Sequence, residues 1–353
     1  MQQEKYNLFQ SQNPEIGYFD VIFDFNGKLL YANKYVLVTS SETLNAWLSD
    51  RWTKDENPIK IETYTFDIFY QFCSFLYSGN CKLTEKNIFQ LVDTAEFFGI
   101  QLLKDFCEEF LIEIFNENNI GKIYEIAERY LLSNLLKEIE RYVKQNYKAL
   151  IMEEKIVNLP KSLVMMICRY HGGEFSAFEA VYKWTENYVK IKKEDLEFEE
   201  KCKYKFSEFL PVLFVPEFDA NKVFAFLVEK PFLVSVSQLP KIIPNYNGKR
   251  IEKLFETVYQ MAEYQMKKKL NFSSDEITEE VIRNELKEII KNIKFSEMSL
   301  NFVLEFIVDQ DFPFPSNILE LLTECKRNDH QEEKYFKAVN IFIYTKKLIS
   351  KKF

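Results

Sequence analysis

The sequence predicts an α+β domain over residues 15–116 followed by an all-α region. Three observations predict it. Apolar residues alternate with polar ones in the runs Tyr18–Phe25 and Pro58–Glu62, and recur at helical spacing from Thr65 onward. A strong two-residue hairpin signal, Asn26-Gly27, separates two alternating runs. Only eight Gly and ten Pro occur in 353 residues, too few turn formers for an all-β chain.

Residues 1–14 read as an N-terminal extension whose apolar side chains are chiefly Tyr6, Leu8 and Phe9. Tyr18 to Phe25 reads as the first strand and Lys28 to Ala32 as its return. Thr39-Ser40-Ser41 is an N-cap cluster ahead of Leu44, Trp47 and Leu48, which share one helical face. Pro58 to Glu62 predicts a third strand. The broad apolar face from Phe66 to Tyr77 predicts a helix closed by Gly79. A short strand is expected at Cys81–Leu83, then helices over Asn87–Phe98 and Leu102–Phe115 with a stop at Gly99. Beyond residue 118 every segment reads helical: Ile120–Leu132, Leu135–Ile151, Ser162–Cys168 and, after Gly172-Gly173, Ala177–Val189. Short helices on short connections suggest stacked α-hairpins.

Composition narrows the function. Hydrophobic residues make up 47% of the chain, enough for sizeable cores. A formal charge of −8 opposes nucleic-acid binding, which depends on neutralising phosphates. Lysines mostly alternate with glutamates, as on solvated helix faces. The six cysteines form no CxxC pair and are expected to be reduced, buried thiols. The N-terminus shows no signal-peptide pattern, and no apolar run approaches the roughly 18 residues a bilayer span needs. A cytoplasmic or nuclear location is the resulting expectation, with no membrane partner.

Catalytic motifs are missing from the sequence. The two histidines, His171 and His330, have no Cys or His at metal-ligand spacing. Neither a phosphate-binding glycine loop nor a GxSxG elbow occurs. No catalytic, cofactor-binding or metal residue is assigned, no small-molecule substrate is expected, and the chain is read as a non-enzyme.

The N-terminal residues resemble the BTB/POZ family. Phe19-Asp20-Val21 is similar to its opening strand and Ala32-Asn33-Lys34-Tyr35-Val36-Leu37 to its strand-to-helix motif. Phe75-Leu76-Tyr77-Ser78-Gly79 is similar to its helix end, and Asn87 to Phe97 to the helix that follows. Residues 117–246 resemble the BACK region that follows many BTB domains, through Asn119-Ile120, Leu135 to Tyr142, Leu159-Pro160 and the helix Phe178 to Trp184. Residues 247–353 lack the glycine-rich β-repeats of a kelch propeller and look like a repeated BACK half. Phe178-Glu179-Ala180-Val181-Tyr182 aligns with Phe255-Glu256-Thr257-Val258-Tyr259 at an offset of 77 residues, and Glu217 to Val228 with Glu297 to Val308 at 80. Convergent amphipathic helices would give the same spacing, so both origins stay open.

The resemblance implies a substrate adaptor of a cullin-3 ubiquitin ligase, with a dimeric BTB domain and a C-terminal surface for the target. It places the cullin-facing surface at Leu48, Asp50, Trp52, Lys54 and Tyr77, and the surface for a homodimer or BTB heterodimer at Tyr6, Leu8, Phe9, Asp20 and Asn33. Trp47 fits either the core or the interface. Two residues depart from the family pattern: Lys54 stands where cullin binders often carry glutamate, and Asn33 replaces the usual histidine. A scaffold without a ligase, bridging partners in a chromatin or RNA-regulatory complex, is the competing expectation. A decoy that dimerises with a true adaptor is also consistent with Lys54.

Overall fold

The computed structural model describes residues 2–49, 58–192, 198–213, 220–239, 249–270, 298–299 and 302. They fall into two compact units, Met1–Asn146 and Tyr147–Phe353.

The first unit is built on a small sheet with strand order β2-β1-β3. β1 (Val21–Phe25) pairs antiparallel with β2 (Lys28–Ala32) and parallel with β3 (Ile59–Lys60), where Phe23 faces Ile59 across the register. The hairpin turn takes the left-handed conformation at both Asn26 (φ 55°) and Gly27 (φ 92°), and the Asp24 carboxylate accepts the Gly27 N–H at 2.6 Å. Two positive φ values match the right-handed twist of the flanking strands, which is why Asn-Gly sits here. β1 begins later than its sequence pattern suggested, because Tyr18 also has positive φ (47°) and leaves extended backbone.

Helices cover the sheet. α1 (Gln2–Ser11) precedes it; α2 (Lys34–Ser40) and α3 (Glu42–Trp47) cross from β2 to β3. Ser41 caps α3 by accepting the Leu44 N–H at 3.1 Å. α4 (Phe66–Ser78) starts at Thr65, whose hydroxyl accepts from Ile68 N–H, and stops at Gly79 with φ 74°. α5 (Ile88–Phe97) and α6 (Gln101–Ile114) follow, then α7 (Ile120–Arg129) and α8 (Ser133–Leu150). Phe69 meets Phe23 edge-on at 5.0 Å, and Phe72 stacks on Phe98 at 4.9 Å, so an aromatic core joins strand, α4 and the end of α5.

One expectation is corrected and one segment gains a structure. The N-terminal extension is a helix, fixed by tertiary contacts: Phe9 is fully buried against Tyr70 and Tyr77, at 5.3 and 4.4 Å. Just beyond it, the Gln12 side chain bonds both the N–H and the C=O of Tyr31, covering the edge of β2. The segment Cys81–Leu83 is not a strand. Its backbone is taken up by side chains, since Lys82 N–H donates to Gln71 and Lys82 C=O accepts from Asn87.

In the second unit, α9 (Glu153–Ile156), α10 (Lys161–His171), α11 (Phe175–Lys192), α12 (Phe198–Ser207), α13 (Leu210–Leu213), α14 (Ala220–Glu229) and α15 (Lys249–Leu270) follow in chain order, with a 3-10 turn at Val236–Gln238. Trp184 is a core residue: its ring is 4% exposed and its indole N–H donates to Leu159 C=O at 2.9 Å. Phe178 and Phe255 are each 1% exposed, and each meets an aromatic ring edge-on, Phe226 and Phe302 respectively. Of the second matched block, Glu217 and the residues Glu297, Asn301, Val303, Phe306 and Val308 lie outside the described residues. Cys73, Cys81, Cys107, Cys168 and Cys202 are free and buried, and burial pushes the Cys81 and Cys168 thiols up to about 12. No described helix is long and apolar enough to cross a membrane.

Candidate partner-binding surfaces

Two of the residues expected at a dimer interface, Asp20 and Asn33, take part in a polar node where β2 passes into α2. The Tyr77 hydroxyl accepts the Asn33 backbone N–H at 2.7 Å and donates to the Asn33 side-chain oxygen at 2.9 Å. The Asn33 amide then donates to Tyr18 C=O at 2.8 Å, while Asp20 accepts the Lys34 N–H at 2.6 Å. Together these bonds set the angle at which α2 leaves the sheet. Burial, as the largest cause, drives the Tyr77 phenol well up, so it remains a donor throughout the physiological range. In this part of the unit Leu8 (38%), Ile16 (50%), Tyr18 (86%) and Tyr35 (70%) are exposed.

Burial corrects three of the expected contact residues. Phe9 (fully buried), Leu48 (1% exposed) and Tyr77 (4%) point into the unit's own core, so they support a surface from beneath and offer no side chain to a partner. Tyr6 is half-buried, and Leu8, Asp20 and the partly exposed Asn33 remain accessible. Trp47 is half-buried and stacks on Phe23 at 5.8 Å, the core orientation of its two possibilities. Asp50, Trp52 and Lys54 lie outside the described residues.

Removing the node's hydroxyl is a direct test of its role. Tyr77→Phe is expected to lower unfolding free energy by about 2 kcal/mol, since Asn33 would lose a donor and an acceptor inside a mostly buried site. Urea denaturation of variant and parent checks this. A change under about 0.5 kcal/mol would place those bonds at the solvent-exchanging surface.

Two features had no reading in the sequence. The first is Glu108 on α6, 6% exposed, whose carboxylate accepts the N–H groups of Asn134 (2.7 Å) and Leu135 (2.9 Å) at the start of α8. A carboxylate at a helix N-terminus satisfies orphan donors and complements the helix dipole. The second is a groove of about 440 Å³ lined by residues including Phe25, Ile61, Glu62, Tyr64, Phe66 and Asp93. Asp93 accepts a hydrogen bond from the Tyr130 hydroxyl at 2.6 Å, which links the groove to the end of α7. Burial first, then the Asp93 carboxylate, raises the Tyr64 phenol. Among the described residues no group of three His, Cys, Asp or Glu side chains is placed to hold a metal.

Comparison with known proteins bears on residues 8–115, which match the BTB/POZ domain family. Human Kelch-like protein 24 is 27% identical over 179 residues, covering 49% of this chain and 30% of that protein. Human Kelch-like protein 6 is 24% identical over 173 residues, 48% of this chain and 28% of the relative. The chain thus spans under a third of the length of these curated relatives. The structure of the BTB domain of human gigaxonin aligns over 31% of this chain and 91% of that one, at 21% identity and a TM-score of 0.25.

Proposed function

We propose that this chain, whose residues 8–115 form a BTB/POZ domain, is a non-enzymatic adaptor that joins a target protein to a cullin-3 ubiquitin ligase. The observation that carries the reading is the reach of the similarity. The aligned 179 residues of Kelch-like protein 24 are more than the BTB/POZ match from 8 to 115 can hold, so the likeness continues into the helices that Glu108 ties to it. On this reading residues 117–246 are a BACK-like spacer and 247–353 repeat its second half, adding a helical surface for the target. Dimerisation, with a second copy or another BTB protein, uses the face around Tyr6, Leu8, Asp20 and Asn33. The adaptor supplies proximity and no reactive group: it raises the target's effective concentration at the ligase. Such an adaptor works in the cytoplasm or nucleus.

Cullin-3 is expected in affinity purifications of the tagged chain, with Trp52 as an anchor, since tryptophan is enriched at binding hot spots. Trp52→Ala should weaken the interaction at least about tenfold and leave the circular-dichroism spectrum unchanged. Wild-type affinity in that variant overturns the anchor assignment; absence of cullin-3 from the purification overturns the ligase reading. Lys54 favours one second reading, because it reverses the charge that cullin binders often present there. That reading is a scaffold bridging other proteins, whose partners' levels would not respond to proteasome inhibition.

A further inference from the structure

Two helices of the first unit close with the same backbone motif but carry different residues at its critical position. At the end of α5, Ile100 N–H bonds Ala95 C=O (2.8 Å) and Gly99 N–H bonds Glu96 C=O (3.1 Å), with Gly99 at φ 66°. At the end of α7, Leu132 bonds Ala127 (2.9 Å) and Leu131 bonds Glu128 (3.4 Å), and the left-handed residue is Leu131, at φ 54°. Glycine is favoured at this position because a Cβ crowds the neighbouring carbonyl in left-handed backbone. The leucine recovers little of that cost inside the unit, for it is 77% exposed. Strained conformations of this kind concentrate where a protein holds something.

Leu131 is tied to the groove described above through the residue before it. Its neighbour Tyr130 bonds Asp93 on the groove wall, and one turn beyond Asp93 on α5 stands Phe97, 61% exposed. The walls are aromatic and the rim is negative. Glu62 and Asp93 are both exposed, and among the described residues no lysine or arginine pairs with either. Of the cations beside the groove, Lys28 is already engaged by Asp67 at 3.6 Å and by the face of Phe66, 3.6 Å from the ring centre, and Arg129 by the Tyr130 hydroxyl. The Lys28 contact also demonstrates how an ammonium sits on this aromatic lining.

We propose that this face docks a short basic segment of a partner protein, with lysine or arginine in the Glu62–Asp93 groove and an apolar side chain against Leu131 and Phe97. Charge complementarity selects the segment, and the two exposed apolar side chains anchor it. The site goes beyond the ligase reading and stands whether or not cullin-3 binds the chain.

An array of short peptides with identical leucine and tyrosine positions, basic in one half and acidic in the other, tests it. The intact 353-residue chain should capture the basic half, and a fluorescein-labelled basic peptide then measures affinity by anisotropy. Glu62→Lys with Asp93→Lys should weaken that peptide at least about tenfold. Leu131→Gly should weaken it about fivefold while the melting temperature holds or rises, since glycine relieves the left-handed strain. Glu113→Lys, an exposed carboxylate elsewhere on α6, should leave affinity unchanged. Equal losses from Glu113→Lys and the groove reversals would reduce the binding to general attraction by an acidic chain and overturn the site. So would wild-type affinity in Leu131→Gly, or capture of neither half. Self-association abolished by Leu131→Gly would assign the face to a second copy and overturn it likewise.

Discussion

Gly172→Ala is expected to destabilise the second unit by about 3 kcal/mol or more, the upper range for overpacking. The reason is close backbone approach and not a special dihedral. Gly172 follows α10 with an ordinary φ of −61°, yet a Cβ there would lie 1.8 Å from the Val212 carbonyl oxygen and 2.8 Å from its carbon. A side chain in the way could rotate; the backbone of α13 cannot. Accommodating one methyl group therefore means separating α10 from α13. Those helices carry buried Leu163, Val164, Ile167 and Leu213, so the separation also exposes apolar surface. Differential scanning calorimetry should show the loss in the transition of this unit while that of Met1–Asn146 stays in place. A variant melting within about 1 °C of the parent, where roughly 3 kcal/mol would shift it many degrees, refutes the close approach. By contrast, Gly27→Ala meets nothing within 4 Å and tests only the cost of positive φ.

Local chemistry made much of this fold legible. Asn26-Gly27, Ser41, Thr65, Gly79 and Gly99 each act on backbone groups a few residues away, and each does in the structure what its type favours. The failures share the opposite property. α1 is held by Phe9 reaching Tyr70 and Tyr77, far along the chain, and its own apolar pattern is too sparse to announce a helix. Cys81–Leu83 has strand-like composition, but Gln71 and Asn87 satisfy its backbone before any strand can. Leu48 and Tyr77 match a surface by family position while their side chains complete the core. Leu131 read as the continuation of an apolar helix running from Ile120, because sequence spacing cannot reveal a left-handed residue. For the expected partner surfaces, then, family position names residues, and burial decides which of their side chains face outward.

Glu108→Ala carries the largest expected effect in the first unit, about 3 kcal/mol, from the loss of charge-assisted hydrogen bonds from the buried Leu135 N–H and from the backbone and side-chain N–H groups of Asn134. In the sequence, Glu108-Glu109 resembles any solvated acidic pair on a helix. In the structure Glu109 is exposed, whereas Glu108 reaches across to Asn134 and Leu135. Without the carboxylate, the buried N–H of Leu135 has no acceptor, and the pair α7–α8 loses its polar attachment to α6. Glu108→Gln separates charge from geometry: its amide oxygen can still accept both N–H groups, so about half the loss is expected, in line with neutral against charged acceptors. Hydrogen exchange provides the local readout. In Glu108→Ala, the amides of Asn134 and Leu135 should exchange much faster while those of β1 keep their protection, since the damage is to an attachment and not to the sheet. Limited proteolysis should cut first between α6 and α8. If the alanine variant instead loses protection uniformly, the helical pair and the BTB/POZ domain unfold as one cooperative body. If it loses none, Glu108 is not the clamp that joins the partner-holding domain to the helices beyond it.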